Sequence, residues 1–370
     1  MKMGVLVTGF PALRAQAVVR QLLSEGGQTG IVALVHPERI DEANTWIEAQ
    51  RTSGDVRATE RLRLLEGDPA AMDFGLAGPA YLELCRGVEH VHAAYSIVDP
   101  NVGEELAESV NVGATRELLE LTKVASGLRS AVFYSSVFVS GTRSGRVLEV
   151  ELSRGQSFRS PAERTLAISE RMLRLSRAPI STLRAGHLLG DFEGRTIDYF
   201  GAPHLLAVLV ASAPKDVTLP IPSGAEAPLP LTPVDYLARV GTFVTRAERP
   251  AATYHALSPE RFTLRRFLEL VAQRSGKRLE PGFNPGALTR SLLGNPATRL
   301  LPQNARGILE VLTTSAEYAM DVMAELTAHG APRCPPLESY LDPMLDHIRE
   351  RLDDSSLAGG RPHRPSFLVA

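Results

Sequence analysis

Apolar residues along this chain fall into short runs separated by segments of helical period. Gly4 to Val7 is an apolar strand and Thr8 to Pro11 a turn. Leu13 to Leu23 sets Leu13, Val18, Val19, Leu22 and Leu23 on one helical face, and Ile31 to Val35 supplies a second strand. Strand, turn, helix, strand is the opening of a parallel-sheet nucleotide fold. Further strands are expected at Leu62–Leu65, Val88–Ser96, Ala131–Val139, Ile180–Leu183 and Tyr254–Leu257. Ile40 to Arg63 reads as a polar helix and a variable connection. Helices are expected from near Glu104, from Pro161, over Leu264–Gln273 with Thr263 as cap, over 313–330, and within Cys334–Arg351.

The fold class is therefore α/β, a Rossmann-like doubly wound parallel sheet with a smaller C-terminal region. Residues 1–195 are expected to hold the core. Residues 196–350 mix late core elements with a small lobe, whose short pieces are broken by Pro, Gly and Asn over 277–312. The proline- and glycine-rich stretch Pro214–Pro233 reads as a surface connection. Residues 351–370 are expected to be a flexible tail or a short docking peptide.

Composition narrows the function classes. The 370 residues carry a formal net charge of −2, which supplies no general attraction to nucleic acid or to an anionic membrane. Two cysteines, Cys85 and Cys334, argue against a disulfide framework or a thiolate metal site. No apolar run approaches the ~20 residues that span a bilayer, so a cytoplasmic location is expected. Nucleophile-elbow, phosphate-loop and His-Glu-x-x-His zinc motifs are absent from the sequence. The nine histidines are scattered, with His187, His204 and His255 as pocket candidates set against structural or surface roles.

Dinucleotide loops use glycine where the backbone turns tightly or approaches pyrophosphate. Gly9 holds the first such position, and Ala12 and Ala15 stand at the second and third. Alanine is an ordinary third residue; at Ala12 the methyl restricts the approach. No aspartate follows the second strand, where His36 stands, so a bound dinucleotide would be the 2′-phosphorylated form, met by Arg14, His36 or Arg39. Each of these basic residues is equally at home on a solvated face. Asp68 after Gly67 is a candidate for the adenine amine or for a local turn.

These segments resemble the extended short-chain dehydrogenase/reductases, nearest the branch of thioester reductases and fatty-acyl (male-sterility-like) reductases. VLVTGFPALRA is similar to the branch's opening, Gly67-Asp68 to its third-strand exit, and Asn111-Val112-Gly113-Ala114-Thr115 to its Asn-Val-x-Gly-Thr segment. Ser135 and Ser136 at the end of the fifth strand, Leu183-Arg184-Ala185-Gly186, Gly190-Asp191 with Gly194, Val234-Asp235-Tyr236 and the closing Cys334-Pro335 continue the likeness over about residues 3–350. Glu149, Glu151, Gly155 and Phe158 mark the acidic excursion before the catalytic helix. The resemblance implies a nicotinamide cofactor at Gly9, Arg14, His36, Asp68 and Ser135, an acyl or small-molecule ligand, and a homodimer through the two long core helices. In the fourth-strand exit, Tyr95 stands where the family has a small residue, so a bulky ring is expected to narrow the nicotinamide side unless the register shifts by one.

Catalysis in that family joins a serine to a Tyr-x-x-x-Lys pair on the next helix. Ser136 holds the serine position, but over Ser157–Glu170 the tyrosine is Ala162 and the lysine Leu166. Alanine carries no proton and leucine neither charge nor donor, so the usual proton delivery is lost. The leading expectation is a catalytically inactive reductase-like protein serving as a protein-interaction or ligand-sensing module with an unidentified protein partner. The alternative is an NADP-dependent reductase of a carbonyl or acyl-thioester with non-standard proton delivery through water, substrate or Ser136.

Overall fold

The computed structural model describes residues 3–52, 59–190, 202–213, 218–221, 225–247, 249–281 and 314–353. Strands β1 (Met3–Phe10), β2 (Gly30–Val35), β3 (Leu62–Glu66), β4 (His90–Ala93) and β5 (Ser130–Ser136) alternate with helices. These are α1 (Leu13–Ser24), α2 (Ile40–Thr52), α3 (Gly78–Gly87) and α4, a continuous run of Glu104–Ala107, a π-helical Glu108–Gly113 and Ala114–Val124. After the short strand β6 (Gly145–Val147) come α5 (Pro161–Ser176), β7 (Ile180–Ala185) and β8 (His187–Leu189). The later elements are α6 (Ala202–Ser212), β9 (Thr218–Ile221), β10 (Leu231–Pro233), α7 (Val234–Arg246), β11 (Thr253–Ala256), α8 (Leu264–Ser275) and β12 (Arg278–Pro281). β13 (Ala316–Tyr318), α9 (Asp321–Ala328) and α10 (Leu341–Asp353) close the described chain.

Seven strands form one sheet in the order β11-β7-β5-β4-β1-β2-β3, every pairing parallel. Strands buried on both faces need apolar residues at successive positions, as in Val5-Leu6-Val7 and Ala131-Val132-Phe133. On one face Val5, Val7, Ala33, Val132 and Tyr134 pack beneath α1 and α7. On the other Leu6, Leu34, Val91, Ala131 and Phe133 pack beneath α3, α4 and α5. A separate core joins α6, α8 and α10 through Leu205, Val208, Phe267, Val271, Leu345 and Ile348.

Local signals act where the sequence places them. Ser160 Oγ accepts from Glu163 N at 3.3 Å with Pro161 at the first helical position, and Thr263 Oγ1 accepts from Arg266 N at 3.1 Å. Three spans differ from expectation. Within Pro214–Pro233, read as a surface connection, Thr218–Ile221 pairs with β12 and Leu231–Pro233 with β8, and Leu229 and Leu231 are buried. The apolar run Ala131–Val139 leaves the sheet at Ser136, whose side chain caps a 3-10 turn over Val137–Ser140, so the last residues wrap over the sheet edge. Residues 313–330 are not one helix: Ala316–Tyr318 pairs with Gly145–Val147 before α9 begins, so tertiary pairing overrides helical periodicity. Among the described residues no helix is long and apolar enough to cross a membrane. Asp191, Gly194, the boundary at residue 195, most of the expected small lobe over 277–312, and 354–370 lie outside the described residues.

Candidate functional site

The carboxyl ends of the sheet strands form the site, where parallel α/β folds bind ligands. Thr8 and Gly9 stand near the end of β1, and Gly9 turns the chain with φ +83°. A Cβ there would lie 2.8 Å from the Ala94 carbonyl and Tyr95 Cα, so both the backbone angle and the close approach demand glycine. Ala12 N donates to Gly9 O at 2.9 Å, and Ala12 occupies the N-cap of α1 at φ −64°, ψ 155°, an unstrained conformation for alanine. As N-cap, Ala12 offers the first-turn amides of α1 no side-chain hydrogen bond. Thr8 Oγ1, buried beside this turn, has no hydrogen-bond partner among the described residues. Uncapped amides at a helix N-terminus suit an anionic phosphate, and a nicotinamide dinucleotide's pyrophosphate fits this turn.

The basic residues divide. Arg14 is turned inward, with Nη1 donating to Tyr134 O at 3.2 Å and Nη2 to Ser96 O. Its guanidinium ties α1 to the exits of β4 and β5. Arg39 is held by both oxygens of Glu42, at 2.9 and 2.8 Å. His36 follows β2, and its Nδ1 accepts from Glu38 N at 3.4 Å. Asp68 Oδ1 accepts from Ala70 N at 2.8 Å, the local turn anticipated as its other role. The narrowing expected from Tyr95 does not arise. Its ring lies in the core beneath α4, its hydroxyl 2.9 Å from Thr115 Oγ1, and burial raises its pKa.

On the catalytic side Ser136 Oγ accepts from Phe138 N at 3.3 Å. Ala162 and Leu166 on α5 are each 1% exposed, and Leu166 packs in the same apolar cluster as Tyr95, Val139 and Leu173. Asn111 lies in the π-helical segment; its amide donates to Ile97 O at 3.0 Å and Thr165 Oγ1 at 2.9 Å, and its Oδ1 accepts from Ile97 N at 2.8 Å. Its backbone carbonyl accepts from Thr115 and Ser169 hydroxyls at 2.7 and 2.8 Å. A π-turn shifts the backbone register, and here two hydroxyls satisfy the displaced carbonyl. Ser135 Oγ donates to Glu170 Oε1 at 2.6 Å, which directs it into the protein beneath α5.

A family model described as male sterility protein, a NAD-binding domain, matches residues 7–240. The chain belongs to the male sterility protein family. No curated protein matches it. Among solved structures it is similar to the terminal R domain of the myxalamid PKS-NRPS pathway, at 18% identity and TM-score 0.73, over 95% of this chain and 91% of that one. An R domain of a nonribosomal peptide synthetase from Mycobacterium tuberculosis matches at 19% identity and TM-score 0.71, over 97% and 92%. A UDP-glucuronic acid 4-epimerase from Bacillus cereus, in complex with NAD, matches at 17% and TM-score 0.64, over 94% and 99%. At such identities the structures establish the shared Rossmann-like α/β fold.

This male sterility family member also contains a buried polar network that strand and helix periodicity did not reveal. Arg184 on β7 and Glu170 on α5 pair with side chains 1% and 0% exposed. Arg184 further donates to Glu151 O at 2.8 Å and Glu149 O at 3.4 Å, and meets His255 Nε2 at 3.3 Å. His255 Nδ1 lies 2.6 Å from Ala319 O. A carbonyl only accepts, so Nδ1 carries the proton and Nε2 accepts from Arg184. Burial, with Arg184 beside it, lowers the His255 pKa to about 3. Glu149 accepts from the backbone N–H of His255, Val322 and Met323 at 2.9, 2.6 and 3.0 Å, capping α9. Burial raises its pKa, and these hydrogen bonds oppose the shift. Glu151 takes Arg143 at 2.6 Å, which holds its carboxyl down to about 2. The network fastens the 145–156 excursion and α9 to the sheet edge.

Glu149 and Glu151 were visible as an acidic excursion, but their partners lie up to 174 residues away in sequence. Among the described residues no cluster of histidine, cysteine and carboxylate side chains could hold a metal.

Proposed function

We propose that this chain is a nicotinamide-dinucleotide-dependent reductase of the thioester reductase type that acts on a carbonyl or acyl-thioester and does not use the family's tyrosine–lysine pair. The observation that carries this reading is the turn at Gly9, where a left-handed glycine, uncapped α1 amides and the buried Thr8 hydroxyl come together. One expected obstacle also falls away, since the Tyr95 ring is packed elsewhere, and Ala12 holds its N-cap position without backbone strain. When bound, the dinucleotide would supply hydride; Gly9, Thr8 and the first-turn amides of α1 would hold its phosphates. The form favoured is NADP(H), since no aspartate immediately follows Val35 and His36 stands there.

A second reading keeps the ligand site without turnover, as a sensing or protein-interaction module, with or without homodimerisation. What favours it is the burial of both Ala162 and Leu166, which leaves Ser136 as the one retained member of the family's serine, tyrosine and lysine. A missing general acid lowers a rate by about 10²–10⁴-fold and leaves binding intact.

Calorimetric titration of dinucleotide-stripped protein with NADPH, NADP, NADH and NAD separates these outcomes. Tighter binding of the phosphorylated pair, with consumption of NADPH on adding octanal or octanoyl-CoA, is the expected result. Binding without consumption favours the sensing module, and no binding at millimolar concentration sinks the reductase and dinucleotide-sensing readings and leaves a protein-interaction scaffold.

A further inference from the structure

We propose that His187 supplies the proton that the missing tyrosine cannot, acting on a carbonyl compound with an apolar chain. This inference rests on the reductase reading above and adds the acid. The sheet register brings the histidine to the site. Ser136 pairs with Ala185 across β5 and β7, and the chain then passes through Gly186 to His187 at the start of β8. Gly186 permits this course, because a Cβ there would collide with the Pro230 carbonyl. On the β5 side, Ser136 Oγ holds the amide of Phe138, and the Phe138 ring packs against the His187 ring at 4.7 Å between centroids and 51° between planes. One aromatic residue thus links the retained serine to an imidazole that keeps intermediate exposure at the carboxyl edge of the sheet.

The surroundings suit an apolar carbonyl compound. Val137, Phe138 and Leu257 form a small cluster beside this edge, with Tyr318 and Met320 partly buried against it. The turn Val137–Ser140 and strand β10 carry no charged side chain, and α6, which packs on β8, brings one titratable group, the buried His204. Tyr318 is the remaining titratable group in the apolar cluster, and burial raises its pKa to about 12. Imidazole is a better proton donor near neutrality than such a phenol.

The step balances as follows. The carbonyl carbon gains a hydride from the reduced nicotinamide dinucleotide of the proposed function, which would leave oxidised, so that an aldehyde becomes an alcohol and a thioester becomes a hemithioacetal. The C=O π pair moves to oxygen, which takes the proton from the protonated His187 ring. The neutral imidazole is reprotonated from solvent. A hemithioacetal then releases thiol and aldehyde with no further redox change.

The test compares wild type with His187→Gln, using folded-state circular dichroism and the NADP dissociation constant as controls. Octanamide, an unreactive amide with a carbonyl acceptor, serves as the binding probe on NADP-loaded protein. In wild type its affinity is expected to rise as pH falls through the imidazole titration, since the protonated ring donates to the amide oxygen. His187→Gln should weaken octanamide about tenfold at low pH and remove that pH dependence, with the NADP constant unchanged. Octanal reduction should lose about 100-fold in kcat, and the wild-type kcat should fall as pH rises. Unchanged octanamide affinity, pH profile and kcat in His187→Gln would overturn the assignment while leaving the reductase reading in place. NADP binding without octanal or octanoyl-CoA turnover in wild type also overturns it. Failure of wild type to bind NADP would instead remove the reading on which it rests. Should His187→Gln fail to fold, His187→Asn is measured in the same way, with the same outcomes.

Discussion

Arg184 and Glu170 meet in a bidentate ion pair, Nη2 to Oε2 at 2.7 Å and Nε to Oε1 at 2.9 Å, with neither side chain more than 1% exposed. A charge so placed is stable only while its partner remains. Glu170→Ala should cost about 3–5 kcal/mol, because it strands the guanidinium beneath α5. The double variant Glu170→Leu with Arg184→Met should cost much less than the sum of the single changes. Urea midpoints of wild type, Glu170→Leu, Arg184→Met and the double variant measure the coupling, and additive losses would contradict it.

Gly9→Ala places a methyl against the Ala94 carbonyl in a left-handed backbone. A loss of about 1–3 kcal/mol is expected, with dinucleotide binding abolished. Chemical denaturation and calorimetry read the two effects separately.

Ala12→Ser should move stability and affinity in opposite directions. A serine N-cap accepts from a first-turn amide and adds about 1 kcal/mol to folding. The same amides would hold pyrophosphate, so the NADP dissociation constant should increase. Equal affinity in both proteins would show that phosphate does not rely on this helix end.

Leu166→Lys restores the family's residue type at a position this chain has made core. Burying an ammonium among Tyr95, Val139 and Leu173 should cost about 2 kcal/mol or more, whereas Leu166→Met should cost less than about 1.5 kcal/mol. Thermal denaturation without dinucleotide distinguishes them. A fully stable Leu166→Lys protein would mean that the side chain reaches an open cleft.

His255 sets a pH dependence whose sign is fixed by its lowered pKa of about 3. The folded state holds the ring neutral, whereas the unfolded chain protonates near pH ~6.5. This contribution is complete above that pH and is lost as pH falls toward 3, by up to about 1.4 kcal/mol per unit. Urea midpoints between pH ~6.5 and ~5, above the usual carboxylate range, should therefore decline in wild type. They should stay flatter in His255→Gln.

Much of the architecture was written in local pattern. Runs such as Val5-Leu6-Val7 announce strands buried on both faces, Ser160 with Pro161 and Thr263 announce helix starts, and Gly9 announces a tight strand-to-helix turn. That Ala162 and Leu166 stand where the family resemblance leads one to expect a tyrosine and a lysine is likewise read from sequence alone. These features depend on neighbours a few residues apart, so spacing determines them.

Side-chain direction was decided by the tertiary structure. Arg14 could face a ribose phosphate or the protein, and the carbonyls of Ser96 and Tyr134, 82 and 120 residues away, draw it inward. Tyr95 could obstruct the cleft, but a buried partner at Thr115 takes its hydroxyl. Ser135 and Ser136 are adjacent in sequence, yet strand alternation sends the first to Glu170 and leaves the second to cap the turn that carries Phe138 to His187. The physical reason is common to all three. A polar or aromatic group entering a dense interior takes the orientation that satisfies its hydrogen bonds and packing, and those partners come from strands and helices joined only by the fold.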